Sequence, residues 1–303
     1  MTEKIIFDCD NTMGLPFKEV DDGLTLLYLL GIPGIEILGV TTTFGNGKIE
    51  QVYSQTQKLA ERMGLQFPIL KGEGTSKKSP NTPAAQFLVE SVNQQPHQIS
   101  LLTTGPVGNL ASAQKLDPNF FHKVKRIVSM GGYLGSYQGQ AVGSRGLKIG
   151  IRYLHELNFS ANPTAAYKTV QAPCPVTIFP GQVCLQAPFR WKNINEAVWW
   201  SPKFRRNLKR WLLAFGLYCG VVEFYLWDLL PAVFLTEPNL FETVNLPLGS
   251  TMQDLQDGLL IENPNPKAHP IQVGKSICNP SDFNNHLFTA WQRSAENYPS
   301  PQM

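Results

Sequence analysis

The sequence has no long apolar run. Its best candidates, residues 211–222 and 224–227, are separated by Glu223 and closed by Asp228. A membrane span needs about 20 apolar residues in a row, so a buried helix carrying functional carboxylates is expected there instead. Cysteine is scarce. The five present (Cys9, Cys174, Cys184, Cys219 and Cys278) are far apart, and no two form a CxxC pair. That fits free thiols in a reducing compartment better than a disulfide framework or a zinc site. Charge is scarce too, at 16% of residues and a net +3, which argues against a nucleic-acid polymer or a membrane surface as partner. The densest basic cluster, Lys203, Arg205, Arg206, Lys209 and Arg210, has helical spacing and reads as a solvated face. Residues 1–4 lead straight into the strand-like Ile5-Ile6-Phe7 without a signal segment, so a cytoplasmic protein is expected.

What is present is a βαβ pattern. Short apolar runs at 4–7, 35–42, 67–70, 99–103, 124–130 and 176–179 read as strands. Amphipathic stretches at 21–30, 48–63, 84–93, 108–115 and 164–170 read as helices between them. Residues 194–235 read as mainly helical, with Trp227 and Asp228 as adjacent positions of one helix. The Gly- and Ser-rich segment 135–150 reads as a mobile surface loop, and the tail after Glu296 as frayed. No repeat or linker interrupts the pattern. The expectation is a single α/β domain over residues 1–303, with three α/β/α layers and a mostly parallel, Rossmann-like central sheet.

Such sheets bind ligands at the carboxyl ends of their strands. The segments found there are Asp8-Cys9-Asp10, Thr41 to Asn46, Thr103-Thr104-Gly105-Pro106 and Met130-Gly131-Gly132. All are polar or glycine-rich. Asp8, Asp10, Asp21 and Asp22 crowd into 15 residues. Carboxylates that close repel one another, and a bound hard cation offsets the repulsion. Helix capping accounts for one or two of them, not for four. Calcium suits an all-oxygen set, and the absence of a nearby His argues against softer metals.

These segments resemble the nucleoside hydrolase family, the inosine-uridine preferring group and its purine-specific relatives. Asp8-Cys9-Asp10 and Val20-Asp21-Asp22-Gly23 match its DxDxxxDD motif, with a longer insert between the halves. Thr42-Thr43-Phe44-Gly45-Asn46, Thr103-Thr104-Gly105-Pro106-Val107-Gly108-Asn109 and Val128-Ser129-Met130-Gly131-Gly132 match further blocks in the same order. So do Glu156-Leu157-Asn158-Phe159 with Asn162-Pro163, and Trp227-Asp228-Leu229-Leu230-Pro231-Ala232. The resemblance implies calcium-dependent hydrolysis of the N-glycosidic bond of ribonucleosides. It implies calcium ligation by Asp10, Asp22, Asp228 and the Thr104 carbonyl, with Asp10 as general base. Ribose would be held by Asp21, Asn46, Glu156 and Asn158 above Met130. A homodimer or homotetramer is also implied.

Two departures from the family stand out. Pyrimidine-accepting relatives have a His where this chain has Trp227. Trp has no titratable proton near neutrality and offers a π face, which points to purine nucleosides. The His- and Gly-rich loop that closes over the base is missing from the short 71–96 segment, whereas 11–20 and 135–152 look lengthened and are candidate lids. Phe17, Tyr133, Tyr137, Arg152, Tyr153 and His155 are then candidates for base contact or for protonating the leaving group. Two rival readings remain at this point. Asp8-Cys9-Asp10-Asn11-Thr12 also fits the haloacid dehalogenase-type phosphatase pattern, with Asp8 as nucleophile and magnesium as metal, but no late acidic motif follows. A nucleoside- or ribose-binding protein without turnover is the other.

Overall fold

The computed structural model describes residues 2–75, 81–137, 140–141, 146–263 and 270–298. Eight strands form the main sheet: β1 (Glu3–Cys9), β2 (Ile35–Thr42), β3 (Ile69–Lys71), β4 (Ile99–Thr103), β5 (Arg126–Met130), β6 (Val176–Phe179), β7 (Phe241–Pro247) and β8 (Pro270–Ile277). Their order is β7-β8-β6-β5-β4-β1-β2-β3. All neighbours pair in parallel except the edge strand β7, which runs antiparallel to β8.

Alternation along the strands divides the core into two. Ile5, Phe7, Cys9, Leu102, Val128 and Phe179 point to one face. Ile6, Leu101, Ile127 and Ile178 point to the other. The first face is covered by α1 (Asp21–Leu30), α2 (Ile49–Arg62), α6 (Pro202–Cys219), α7 (Leu229–Thr236) and α8 (Pro280–Asn297), through side chains such as Leu24, Tyr28, Leu59, Leu212, Leu230 and Trp291. The second is covered by α3 (Pro83–Gln94), α4 (Gly108–Leu116) and α5 (Pro163–Val170), through Leu88, Leu110 and Ala166. Helices on both faces of a mostly parallel sheet give the three layers expected.

The C-terminal part differs from the expectation. The strands β7 and β8 and the helix α8 went unrecognised in a stretch broken by Pro, Gly and Asn. The apolar run past 211 is not one helix. Gly220 adopts φ +71° and caps α6, a left-handed turn that glycine takes without steric cost. Glu223–Tyr225 then forms a short strand antiparallel to Pro188–Arg190. Trp227 therefore sits in a turn, and Asp228 is the N-cap residue of α7. Segment 135–152 holds short strands, with Ser136–Tyr137 against Gln140–Ala141 and Leu147–Ile149 against Arg152–Leu154. Among the described residues no helix is long and apolar enough to cross a membrane, and all five cysteines are free.

Candidate active site

Strand β1 is flanked by β2 on one side and β4 on the other. The chain thus changes direction across the sheet at β1, which opens a crevice above the carboxyl ends of β1 and β4. Asp10 follows β1, Asn46 follows β2, Thr104 follows β4 and Met130 ends β5. Asp21 and Asp22 occupy the first turn of α1, where the partial positive charge of a helix N-terminus favours anions. The turn before α7 delivers Asp228 from the far end of the chain.

Asp21, Asp22 and Asp228 each offer a carboxylate oxygen within 4.8 Å of the others, and all three are buried. The Asp228 amide donates to Asp21 Oδ2 at 3.4 Å. Thr104 Oγ1 donates to Asp22 Oδ1 at 2.6 Å. Asp10 joins the group, close enough to Asp22 for one carboxyl to hydrogen-bond the other. The Asn46 amide donates to Asp10 Oδ2 at 2.5 Å. A Cβ at position 45 would lie 1.9 Å from that oxygen, so Gly45 is what lets the β2 loop approach.

Burial raises every one of these acids. Asp10 is pushed up to about 6 despite the opposing Asn46 donor, and Asp21 to about 7. Asp22 and Asp228 rise well above the carboxylate range, with neighbouring aspartate charges adding to burial. Without a cation such a cluster holds protons near neutrality. Asp21 Oδ1 is buried without a hydrogen-bond partner. An unpartnered carboxylate oxygen amid an all-oxygen set is what a hard cation would satisfy. Cys9 points into the first apolar core, and burial holds its thiol protonated. The residues therefore fit a hard metal ion and not a thiophilic one.

A pocket of about 460 Å³ opens over this floor. Asp21, Asn46, Thr104, Met130, Glu156, Asn158, Trp227 and Asp228 all line it, while Asp10 and Asp22 lie behind the lining, each 2% exposed. Asn158 Nδ2 donates to the Thr104 carbonyl at 2.9 Å and to the Met130 carbonyl at 3.1 Å. It ties two strand ends to one wall. Glu156 lines the pocket and also organises the backbone around it. Its carboxylate accepts from the amides of Gly132, Asn158, Phe159 and Ser160 at 2.8–3.1 Å. Glu156 holds the 156–160 turn against the Gly131-Gly132 bend.

Asp8 is 1% exposed and does not line the pocket. It accepts from Thr41 Oγ1 at 2.5 Å and from Asn109 Nδ2 at 2.7 Å, and burial lifts it to about 7. It is a buried support and not an accessible nucleophile, which removes the phosphatase reading. Asn109 also donates to the Thr42 carbonyl at 3.0 Å and accepts the Glu73 amide at 2.9 Å, joining three strand ends to α4. Glu73 was not foreseen. Its buried carboxylate is held by Ser112 and Asn162.

Of the candidate lid residues, Phe17, Tyr133, Tyr153 and His155 line the pocket. Arg152 does not, and stacks its guanidinium 5.0 Å from the centre of the Tyr218 ring. The Tyr137 side chain, residues 138–139 and residues 142–145 lie outside the described residues, as do residues 76–80 of the shortened segment. Glu19 and the α6 residues Trp211, Phe215 and Tyr218 line the pocket and were missed. The α6 signal was available in their i, i+4, i+7 spacing, one face of a helix. A second pocket, of about 710 Å³, carries Trp199 and Trp200 but no acidic side chain. It is larger, yet nothing in it can do the chemistry of the first.

The model of the inosine-uridine preferring nucleoside hydrolases matches residues 5–285. The chain belongs to that family. Among curated relatives, it is 33% identical over 159 residues to a probable uridine nucleosidase 1 of Oryza sativa subsp. japonica, covering 43% of this chain and 47% of the relative. The chain thus spans about half the length of that relative. With the inosine-uridine preferring nucleoside hydrolase of Crithidia fasciculata it shares 25% identity, covering 91% and 94% of the two chains. A solved purine-preferring ribonucleoside hydrolase from Gardnerella vaginalis superposes with a TM-score of 0.80 at 22% identity, over 96% of this chain and 99% of that one. These family members differ in the base they accept, whereas the fold is common to them.

Proposed function

We propose that this chain, working as one domain, hydrolyses the N-glycosidic bond of ribonucleosides to ribose and free base, with calcium as cofactor and purine nucleosides preferred. The observation that carries this reading is the floor of buried carboxylates beneath a pocket whose walls are aromatic. Asp10, Asp22, Asp228 and the Thr104 carbonyl would hold the ion, with Asp21 near enough to join them. When bound, calcium would supply the Lewis acidity that makes a water molecule a better nucleophile near neutral pH. Asp10 takes a proton from the water. Asp21, Asn46 and Asn158 bind the sugar hydroxyls, and Met130 packs beneath the ring. Glu156 joins them in binding the sugar, and its bond from the Asn158 amide also positions Asn158. As the bond breaks, positive charge grows on ribose as in other glycoside cleavage. The buried negative floor stabilises it most strongly because water is excluded there.

The purine preference rests on Trp227. It is 9% exposed and lines the pocket beside the sugar-binding residues. Its ring lies 5.4 Å from Tyr225, which lies 6.1 Å from Phe215. With Tyr225 packed behind it, Trp227 shares the lining with Trp211, Phe215 and Tyr218, and these rings offer a bicyclic base more stacking area than a single ring. As the resemblance implies, the chain would assemble as a homodimer or homotetramer, and its free thiols suit the cytoplasm.

The test is reducing-sugar release from inosine, guanosine, adenosine, uridine and cytidine, with calcium and then with chelator. Calcium-dependent release favouring the three purines is expected. Equal rates on uridine would remove the purine preference. Release from none, with calcium bound, would replace the enzyme with a nucleoside-binding protein.

A further inference from the structure

Phe17 has a backbone conformation that suits glycine. Its φ is +59°, and in that region a bulky side chain is strained. Among the described non-glycine residues only Phe17 and His97 have positive φ, and only Phe17 lines the pocket. Its ring is 57% exposed. Neither core packing nor backbone preference accounts for a phenyl ring at this position.

The loop that carries the ring is closed on itself. The Met13 amide donates to Asn11 Oδ1 at 2.9 Å. The Leu15 amide donates to the Thr12 carbonyl at 3.0 Å. Thr12 Oγ1 donates to the Glu19 carbonyl at 3.0 Å and draws the two ends together. Next to Phe17, Lys18 Nζ donates to the Asn46 carbonyl at 2.9 Å, and Asn46 binds Asp10. Through Lys18 the loop is thus tied to residues of the acidic floor. Of the pocket's other aromatic lining, Trp211, Phe215, Tyr218 and Trp227 come from α6 and the turn before α7, and Tyr133 and Tyr153 from the 133–154 region. A flat heteroaromatic group gains most when rings meet its faces.

We propose that Phe17 is a specificity-determining residue, whose ring, held at the pocket mouth by a strained and self-bonded loop, stacks on the nucleobase. This rests on the reading that the pocket takes nucleosides. The test uses the full chain with calcium and the variants Phe17→Ala, Phe17→Gly and Phe17→Tyr. KM and kcat for inosine, inhibition by free ribose and the melting temperature are measured for each. For Phe17→Ala and Phe17→Gly, KM is expected to rise about tenfold, as loss of a ring contact implies. The kcat and ribose inhibition stay near wild type. Phe17→Gly keeps or raises the melting temperature, because glycine accepts this φ, and Phe17→Tyr keeps the wild-type KM. Unchanged KM in both the Ala and Gly variants would overturn the inference. So would a lowered melting temperature and weakened ribose inhibition in both, which would mean that the ring only supports the fold. A wild-type protein that releases ribose from no nucleoside would instead overturn the proposed function, and this inference with it.

Discussion

At the floor of the pocket, Asp10, Asp21, Asp22 and Asp228 are 1–4% exposed. At its mouth Phe17, Tyr153 and Tyr218 stand at 57%, 47% and 53%. The floor is a set of like charges that burial alone would push toward protonation, and hydrogen bonds from Asn46, Thr104 and the Asp228 amide hold its geometry. The mouth is largely aromatic and built from three separate elements, the insert before α1, the strand Arg152–Leu154 and the C-terminal half of α6. One region is rigid because its polar groups have few alternatives. The other can change its side chains without disturbing the strands. On the proposed function, chemistry belongs to the first, and choice of base to the second together with Trp227.

This division is open to experiment. Replacing Asp10 by Ala should lower kcat/KM about 10³-fold, in the range expected for loss of a general base. A loss below tenfold would take catalysis away from the floor. Replacing Asn109 by Ala leaves Asp8 Oδ1, the Thr42 carbonyl and the Glu73 amide without their shared partner. Stability should fall by about 3 kcal/mol in urea unfolding, and a loss under 1 kcal/mol would show that the network is dispensable.

The pH dependence of the metal-free protein has a definite sign. Asp10 and Asp21 are raised in the fold from 3.8 to about 6 and about 7. Between pH 4 and 7 the folded state therefore holds protons that the unfolded chain has released. Their contribution to stability is complete below the unfolded value and is lost as pH rises through the folded ones. In chelator the melting temperature should drop by roughly 5 °C or more from pH 5.5 to 8, and calcium should abolish the drop. A flat profile in chelator would mean that the carboxylates are not crowded as described. At the mouth, Tyr218→Ala should raise KM for inosine by only about threefold, with kcat unchanged. A collapse of kcat there would erase the boundary between the regions.

The floor was legible in the sequence because its residues stand directly after strands, where the doubly wound topology collects them. Asp10, Asn46, Thr104 and Met130 needed only the strand assignments. Asp228 needed its motif, since nothing local announces that a turn from the far end of the chain meets α1. The apolar run beyond Trp211 concealed how it gets there. Gly220 ends the helix, and the short strand 223–225 redirects the chain. The mouth was much less legible. Exposed aromatics in loops have no periodicity, and a positive φ at Phe17 leaves no mark in composition. Glu156 was legible as a pocket residue, but its four backbone donors, which hold the 156–160 turn, were not.

Calcium titration into chelator-stripped protein tests the floor most directly, by calorimetry at pH 6.5 in two buffers of different ionisation enthalpy. One calcium per chain should bind with release of protons, since the carboxyls raised by burial must give them up to the ion. Asp22→Asn and Asp228→Asn should each abolish the signal. Absence of calcium binding by the wild type, or binding that survives both substitutions, would contradict the assignment of these carboxylates to a metal ion.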